Sequence, residues 1–229
     1  MRISIYLLAC LLFSIAHVNL AMGQVDPDGS VIFDFTEDFE SGVANFTNAE
    51  RELATLFQTG GVGDSAFVRA ATDPDFQGVV FRAEIDSRGP GPASGGAFAG
   101  DYIASNVESV SFFLRHDNTE DATFSARFAT GNNFPGSIVG LGTLAPGEFQ
   151  EFTIDLTDTS PFFNESAPLA SFLDDIGNIQ ITTSTENGGG FNVDLDNFQI
   201  RTSASAVPEP SSLALLVGSA GLFVIRRRR

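Results

Sequence analysis

The sequence contains no tryptophan, one cysteine and two histidines among its 229 residues. One cysteine excludes a disulfide scaffold and a zinc site built on cysteines. Lysine is absent as well, so 12 arginines carry all the positive charge against 29 acidic residues, and the formal net charge is −17. This balance argues against a nucleic-acid partner, or an anionic membrane, bound through a basic patch. Phenylalanine is abundant, with 23 residues, and a 43% apolar content suffices for one medium-sized core.

The first 23 residues have the pattern of a secretory signal peptide. Arg2 precedes an apolar run over residues 3–16, and Ala21-Met22-Gly23 places small residues where signal peptidase cleaves. The run is too short to span a bilayer. A buried first helix is the alternative, but no polar periodicity follows that would make such a helix amphipathic. We therefore expect an exported chain, processed by signal peptidase after residue 23.

A second apolar run lies near the C-terminus. As a helix, residues 213–225 would rise about 20 Å, short of the roughly 30 Å hydrocarbon core, although flanking serines could extend the span. Four arginines follow the run: Arg226, Arg227, Arg228 and Arg229. By the positive-inside rule they would keep this end in the cytoplasm. The sequence therefore predicts a C-terminal hydrophobic membrane helix, with the chain between the two apolar runs outside the membrane.

Val207, Pro208, Glu209 and Pro210 directly precede this second run. Together with the short membrane segment and the arginine cluster, they resemble the PEP-CTERM sorting signal of Gram-negative bacteria. The resemblance implies transient inner-membrane insertion and cleavage near this box by an exosortase. It also implies a tethered precursor that reaches the cell surface or the extracellular matrix, in a family associated with exopolysaccharide and biofilm. A plain single-pass anchor with a proline linker is the alternative.

Between these ends, residues 24–202 are the predicted folded domain, and residues 203–229 are linker and sorting signal. Seven arginines against 28 acidic residues make residues 24–207 strongly acidic. Apolar and polar residues alternate in short runs separated by turns rich in Gly, Pro and Asn, which favours half-buried antiparallel strands. The predicted strands cover residues 31–39, 66–70, 79–85, 107–115, 123–128, 137–141, 151–156, 176–182 and 191–201. Only residues 48–57, with Asn48 as a cap, and residues 169–175 fit short helices.

These features predict an all-β fold, an antiparallel β-sandwich flanked by the signal helix and the membrane helix. Three of its segments form a pattern: FTEDFESG at 35–42, GVGDSAFVRA at 61–70 and FNVDLDNFQI at 191–200. In these segments the domain resembles the galactose-binding-like domains and many carbohydrate-binding modules, and the resemblance implies that the sandwich is a jelly roll.

The last predicted strand changes phase. Val193 and Leu195 point to one face, and the next apolar residues, Phe198 and Ile200, are out of phase with them. An extra residue must enter near residues 196–197, which predicts a β-bulge.

The resemblance also implies a structural calcium ion between the first and last strands. By position, Glu40 and Asp196 match the ligands of such modules, with Asp38, Asp64 and Asp194 nearby. Oxygen ligands on loops and strand ends suit calcium. The alternative is that these acids are solvated, as most of the domain's 28 acidic residues must be.

Catalysis has little support in the sequence. Gly63-Asp64-Ser65 is similar to the nucleophile block of G-D-S-L esterases, but Ala66 replaces the leucine and no D-x-x-H follows. His116, expected at the surface, is the only histidine left to act as a base. A pair of carboxylates acting as a glycoside hydrolase stays open, because that chemistry needs only two acids about 5 to 10 Å apart.

Sugar binding has one candidate loop. Phe98, Asp101 and Tyr102 lie together in residues 95–102, and they are the best prediction for a ligand-facing loop. Glycan sites generally stack sugar rings on Trp or Tyr, and Tyr102 is the one such residue outside the predicted signal peptide. The preferred function is a non-catalytic structural or adhesive protein of the cell envelope or exopolysaccharide matrix, with extracellular polysaccharide as a partner. A carbohydrate-binding module is the alternative, and a small hydrolase is the distant one.

Overall fold

The computed structural model describes residues 34–72, 78–85, 89–184 and 190–203. They contain eleven strands and only short 3-10 turns besides. The strands are β1 (Phe35–Glu37), β2 (Thr55–Phe57), β3 (Phe67–Ala71), β4 (Val79–Glu84), β5 (Val107–His116), β6 (Ala122–Thr130), β7 (Gly136–Leu144), β8 (Gln150–Asp155), β9 (Phe163–Asn164), β10 (Ile176–Thr183) and β11 (Asn192–Thr202).

The strands form two antiparallel sheets. One has six strands in the order β2-β3-β11-β5-β8, with β1 also paired to β11, and the other has five in the order β4-β10-β6-β7-β9. Phe35 of the first strand lies opposite Ile200 of the last, so the two ends of the described domain lie side by side in the six-stranded sheet. The predicted all-β antiparallel sandwich is therefore confirmed. The predicted signal and membrane helices lie outside the described residues.

Phenylalanine fills the core between the sheets. The ring of Phe198 on β11 lies 5.4 Å from that of Phe46, 6.5 Å from that of Phe98 and 6.1 Å from that of Phe112, measured between centroids. Such ring pairs stabilise the fold in addition to the burial of about 200 Å² by each ring. Eight phenylalanines are almost completely buried: Phe39, Phe46, Phe81, Phe98, Phe112, Phe124, Phe128 and Phe198.

The predicted β-bulge is present in β11. Asp196 lies opposite Phe113, and the register resumes with Gln199 opposite Ser111, so β11 has one residue more than β5 at this point. Asn197 adopts a positive φ of 48° there. The extra residue lets Leu195 before the bulge and Phe198 after it both face the core.

Each of the nine predicted strands has a counterpart, and the structure adds β2 and β9. These two contain three and two residues, too few for alternation to be recognised. Within the described residues, no helix has both the length and the apolar character needed to cross a membrane.

The predicted helix over residues 48–57 is wrong. Asn48 does cap a turn, because its Oδ1 accepts hydrogen bonds from the backbone N–H of Glu50 at 2.9 Å and of Glu52 at 3.0 Å. Arg51 adopts a φ of 65°, however, which no right-handed helix allows. The segment then continues into β2. Residues 169–175 form two 3-10 turns of three residues instead of the predicted helix.

Candidate functional site

A row of outward-facing side chains crosses the whole five-stranded sheet. The strand register aligns one residue from each strand, because alternate residues of a strand share a face. Neighbouring strands lie about 4.8 Å apart, so the row is about 19 Å long. We call it the outer-face row: Arg82 of β4, Gln180 of β10, Arg127 of β6, Ile138 of β7 and Phe163 of β9.

Arg127 lies at the centre of this row and is buried. Its Nε donates to Oε2 of Glu165 at 2.6 Å, its Nη1 to Oδ1 of Asn133 at 2.9 Å, and its Nη2 to the carbonyl oxygen of Asn133 at 2.7 Å. Charge-assisted bonds of this kind are about twice as strong as neutral ones. Arg127 therefore holds the turn at residues 130–135 and the loop around Glu165 against the sheet.

Glu84 organises the β4 end of the sheet. Its carboxylate accepts hydrogen bonds from Nε of Arg51 at 3.0 Å and from Nη1 of Arg82 at 3.1 Å, and a longer one from Nε2 of Gln180 at 3.4 Å. Arg82 also donates from Nε to the carbonyl oxygen of Ala49 at 3.2 Å. The turn after Asn48 is thereby fixed over the outer side of β4.

The electrostatics of this face differ from those of the rest of the chain. Burial lowers the pKa of Arg82, Glu84 opposes that shift, and the positive charges of Arg51 and Arg127 add to it. Arg51 and Arg127 thus both repel the charge of Arg82. Glu84 pairs with Arg51 and Arg82, and Glu165 pairs with Arg127. The face is nearly neutral within a chain of net charge −17.

Two exposed phenylalanines lie on this face: Phe163 at the end of the row and Phe134 in the turn beside it. The ring of Phe134, 57% exposed, has the guanidinium carbon of Arg127 5.2 Å from its centroid, and Phe163 is 73% exposed. A Cβ on Gly136 would come within 2.6 Å of both Nη2 of Arg127 and Oε2 of Glu165, so an alanine there would have to displace that ion pair. One ring is thus held by a buried cation and the other stands at the free edge of the sheet.

The opposite face, on the six-stranded sheet, has a second arginine pair. Asp194 is buried, and its carboxylate accepts a hydrogen bond from Nε of Arg69 at 2.6 Å and another from Nε of Arg115 at 2.8 Å. Asp194, predicted as an outlying calcium ligand, is therefore the shared anion of two arginines.

The two principal predicted calcium ligands meet the same loop. Glu40 Oε1 accepts the backbone N–H of Ala66 at 2.9 Å, and the fully buried Asp196 accepts from N–H of Val62 at 2.7 Å and Oγ of Ser65 at 2.8 Å. Each carboxylate thus holds part of the loop at residues 62–66. Calcium at this place stays a prediction.

The other two predicted ligands cap turns. Asp38 Oδ1 accepts the N–H of Glu40 at 3.1 Å, and Asp64 Oδ1 accepts the N–H of Gly60 at 3.0 Å. Among the residues that the structure describes, no group of three or more His, Cys, Asp or Glu side chains is arranged to hold a metal ion.

The predicted ligand-facing loop is wrong. Phe98 and Tyr102 are buried in the core, and the Tyr102 hydroxyl donates to the carbonyl oxygen of Phe98. Burial accordingly raises the pKa of Tyr102. Asp101 accepts the N–H of Ala104 at 2.7 Å. The loop sequence is apolar because it covers the core.

His116 is not at the surface as predicted. It is buried, with Nε2 donating to the carbonyl oxygen of Leu144 at 2.8 Å, and its ring packs 5.9 Å from Phe124 and 5.6 Å from Phe191. Ser65 Oγ is 2.8 Å from the carbonyl oxygen of Val62 as well as from Asp196. Both residues therefore have structural partners.

The sequence missed the loop residues of the outer-face row. Alternation placed Arg82 and Arg127 on the polar side of their strands, but nothing marked Asn133 and Phe134 as their partners. The one available signal was a phenylalanine inside a turn, TGNNFPG, where no strand required it. The predicted sorting residues at 207–210 and 226–229 lie outside the described residues.

No protein-family model matches the chain, and the comparison with curated proteins finds no match. Solved structures share its fold. An exo-β-agarase matches with a TM-score of 0.53 and 14% identity, over 72% of this chain and 24% of that chain. The likeness to the agarase shows a common fold.

Two carbohydrate-binding modules are also similar, with lower scores. The C-terminal family 22 module of a Clostridium thermocellum xylanase has a TM-score of 0.46 and 13% identity over 80% of this chain and 99% of that chain. The module CtCBM11 has a TM-score of 0.47 and 16% identity over 76% of this chain and 98% of that chain. A longer xylanase structure, which holds a family 22 module and a GH10 module, is matched over 28% of its chain. This chain thus spans about a quarter of that structure and of the agarase.

Proposed function

We propose that this protein is a non-catalytic carbohydrate-binding β-sandwich that binds polysaccharide on the outer-face row. The observation that carries the proposal is the exposed ring of Phe134 held against the buried guanidinium of Arg127, with exposed Phe163 at the end of the same row. The C–H face of a sugar ring packs on an aromatic ring, and its hydroxyls bond to polar side chains. Phenylalanine takes the part here that tryptophan, absent from this chain, would otherwise take.

The dimensions favour a chain of sugars over a single one. The row is about 19 Å long and crosses five strands. Arg82, Gln180 and Arg127 are buried beneath the loops that they hold, so the exposed part of the row is the end with Phe163, next to the ring of Phe134. Half-buried Ser125 and Thr182 lie on the same face, with their hydroxyl oxygens 2.6 Å apart. The ligand class we propose is therefore a polysaccharide bound along its length.

Charge favours a neutral ligand. Arg51, Arg82 and Arg127 are balanced by Glu84 and Glu165, and exposed Glu50 and Glu52 flank Arg51. An acidic polymer would also be repelled by the net charge of −17. An uncharged glycan is not repelled by the net charge and does not disturb the ion pairs of the face.

The contacts of His116 support a non-catalytic role. A serine triad needs a histidine that accepts the proton of the serine hydroxyl. His116, the one histidine in the described part of the chain, is buried and donates from Nε2 to the carbonyl oxygen of Leu144 instead. The distant hydrolase alternative therefore has less support than binding.

We further propose that the domain is exported and sorted through the box at 207–210, with signal peptidase and exosortase as processing partners. A glycan-binding domain released at the cell surface would hold matrix polysaccharide, which joins the two functions that the sequence suggested. Replacing Glu209 and Pro210 by alanine should leave the precursor in the inner membrane, and fractionation measures this. Unchanged release of that variant would contradict the sorting proposal.

Affinity electrophoresis in gels containing agarose, xylan or mixed-linkage β-glucan tests the binding proposal. We expect at least one of these neutral polysaccharides to retard the protein, and the Phe134→Ala/Phe163→Ala variant to be retarded less. Ile103→Ala, which also removes an exposed apolar side chain (59% exposed), is the matched control and should behave as the wild type. Equal retardation of all three proteins would contradict the proposed surface.

A further inference from the structure

The six-stranded sheet has its own aromatic surface, on the side opposite the outer-face row. The rings of Phe57 and Phe67 are stacked, with centroids 5.0 Å apart and planes 6° from parallel, and Phe149 lies 5.9 Å from Phe67. Phe67 is buried but does not belong to the core between the sheets. Its burial comes from this outer face. We call Phe57, Phe67 and Phe149, with Arg69 and Arg115, the aromatic strip.

Two guanidinium groups alternate with the three rings. The Cζ atom of Arg69 lies 4.8 Å from the centroid of Phe57 and 5.8 Å from that of Phe67. The Cζ atom of Arg115 lies 5.0 Å from Phe67 and 4.2 Å from Phe149. These distances are within the range of cation–π attraction.

Buried Asp194 fixes both arginines from the sheet side. Arg69 donates to it from Nε and Nη2, and Arg115 donates from Nε and lies with Nη2 at 2.7 Å. A strip held this way needs little ordering when a ligand arrives, and ordering is a main cost of binding.

Around the buried ring of Phe67, the strip is accessible at Phe57, Phe149 and the two arginines, and it is nearly neutral. Phe57 is 37% exposed, and the side chains of Arg69 and Arg115 are 29% and 23% exposed. Their two positive charges face Asp194, and Asp117 also attracts Arg69. This combination of aromatic surface, polar N–H groups and balanced charge is the same chemistry that the outer-face row offers.

We propose that the aromatic strip is a second polysaccharide-binding surface, so that one domain cross-links two neutral glycan chains. This inference rests on the proposed function of the outer-face row. The two surfaces are the outer faces of sheets that pack about 10 Å apart, so one short glycan segment cannot cover both. A second protein copy is a poorer occupant, because copies of charge −17 repel and five residues fall short of about 800 Å² per partner.

A bridging assay separates one surface from two. The full chain, purified in mild detergent and shown by light scattering to be monomeric, is bound to xylan beads, agarose beads or β-glucan beads. Fluorescently labelled soluble polysaccharide of the same kind is then added. We expect the wild type to capture the labelled chain on beads that it binds.

The variants assign the bridging to the strip. Phe57→Ala/Phe149→Ala should still bind the beads through the outer-face row but capture at least about tenfold less labelled chain, as loss of about 1.4 kcal/mol of binding predicts. Ile103→Ala should capture as the wild type does. If the double variant has a lower melting temperature than the wild type, Phe149→Ala alone replaces it in the assay, because Phe149 lies half-buried in a loop.

The outcomes distinguish the two proposals. A wild type that binds no bead contradicts the proposed function itself. A wild type that binds beads but captures no labelled chain overturns the second surface and leaves the first intact, and so does a strip variant that captures as well as the wild type.

Discussion

Gly136 is the residue on which the outer-face row depends most closely. Its missing side chain leaves room for the Arg127–Glu165 ion pair, since a Cβ would come within 2.6 Å of atoms of both. We expect Gly136→Ala to displace the pair and to lower the free energy of unfolding by about 1–3 kcal/mol, as overpacking does. Urea unfolding measures this change.

A matched glycine lies on the same strand. A Cβ on Gly140 would meet nothing within 4 Å. Gly140→Ala should therefore leave stability within about 0.5 kcal/mol of the wild type. Equal effects of the two substitutions would show that the ion pair over Gly136 contributes little to stability.

Glu37 should make stability depend on pH with an unusual sign. Burial raises its pKa, although hydrogen bonds from Ser94 and from the N–H of Phe39 oppose the shift. A carboxyl whose pKa is raised in the folded state favours folding when protonated, and this contribution is lost as pH rises through that pKa. Glu37→Gln should therefore be more stable than the wild type at pH 7, by a margin that shrinks toward pH 4.

Asp155 supplies the control of opposite sign. Hydrogen bonds from the hydroxyl and the N–H of Thr157 lower its pKa, so its contribution is present above the unfolded pKa and is lost as pH falls. Asp155→Asn should cost stability at pH 7 and less at pH 4. Urea unfolding at the two pH values checks both variants, and a parallel pH response would refute the assignment.

At the scale of elements, the central strand β11 supplies core residues on both sides of its bulge. Its bulge at Asn197 keeps Leu195 and Phe198 on the same face. Deleting Asn197 would shift every later residue to the other face, placing Phe198 and Ile200 in solvent. We expect the deletion to prevent folding.

The positive φ of 48° at Asn197 makes glycine the matched replacement. Asn197→Gly should fold with a melting temperature close to that of the wild type, because glycine adopts this conformation at little cost. Circular dichroism compares both variants. A folded deletion variant with an unchanged melting temperature would contradict the role of the bulge.

The strands and the bulge could be predicted from the sequence because both follow from alternation within about ten residues. The turn at residues 48–54 could not, since a good cap at Asn48 and helix-forming residues after it favour a helix locally. The partners of that turn, Ala49 with Arg82 and Arg51 with Glu84, are distant in sequence and override that preference. The surface role of His116 was mispredicted for a related reason, because a polar residue at a strand end gives no sign of the rings that cover it.

The candidate site was accessible to sequence reasoning only in part. Arg127 was placed on the polar side of β6, but its partners Asn133 and Glu165 come from two separate loops. The loop with Phe98 and Tyr102 misled because aromatic residues in a loop suit a ligand as well as a core. Residue type alone does not distinguish a loop that faces a ligand from a loop that covers the core. The burial of Phe98 and Tyr102 in the structure does.

At the scale of the whole molecule, calcium remains a prediction with a direct test. Glu40, just after β1, and Asp196 of β11 both accept hydrogen bonds from the loop at residues 62–66, so an ion bound there would stabilise the folded state. Calcium should therefore raise the melting temperature of residues 24–207 by several degrees relative to chelator, and Asp196→Asn should remove the increase. No shift with calcium would refute the metal site.

The central claim is that the molecule binds neutral polysaccharide on the outer side of the five-stranded sheet. Its most direct test is an NMR titration of residues 24–207 with oligosaccharides of agarose, xylan and mixed-linkage β-glucan, following the backbone amides. Binding by one of these should shift the amides of Arg127, Phe134 and Phe163, and the Phe134→Ala/Phe163→Ala variant should lose those shifts. Shifts that leave these three residues unaffected, or none with any of the oligosaccharides, would contradict the account.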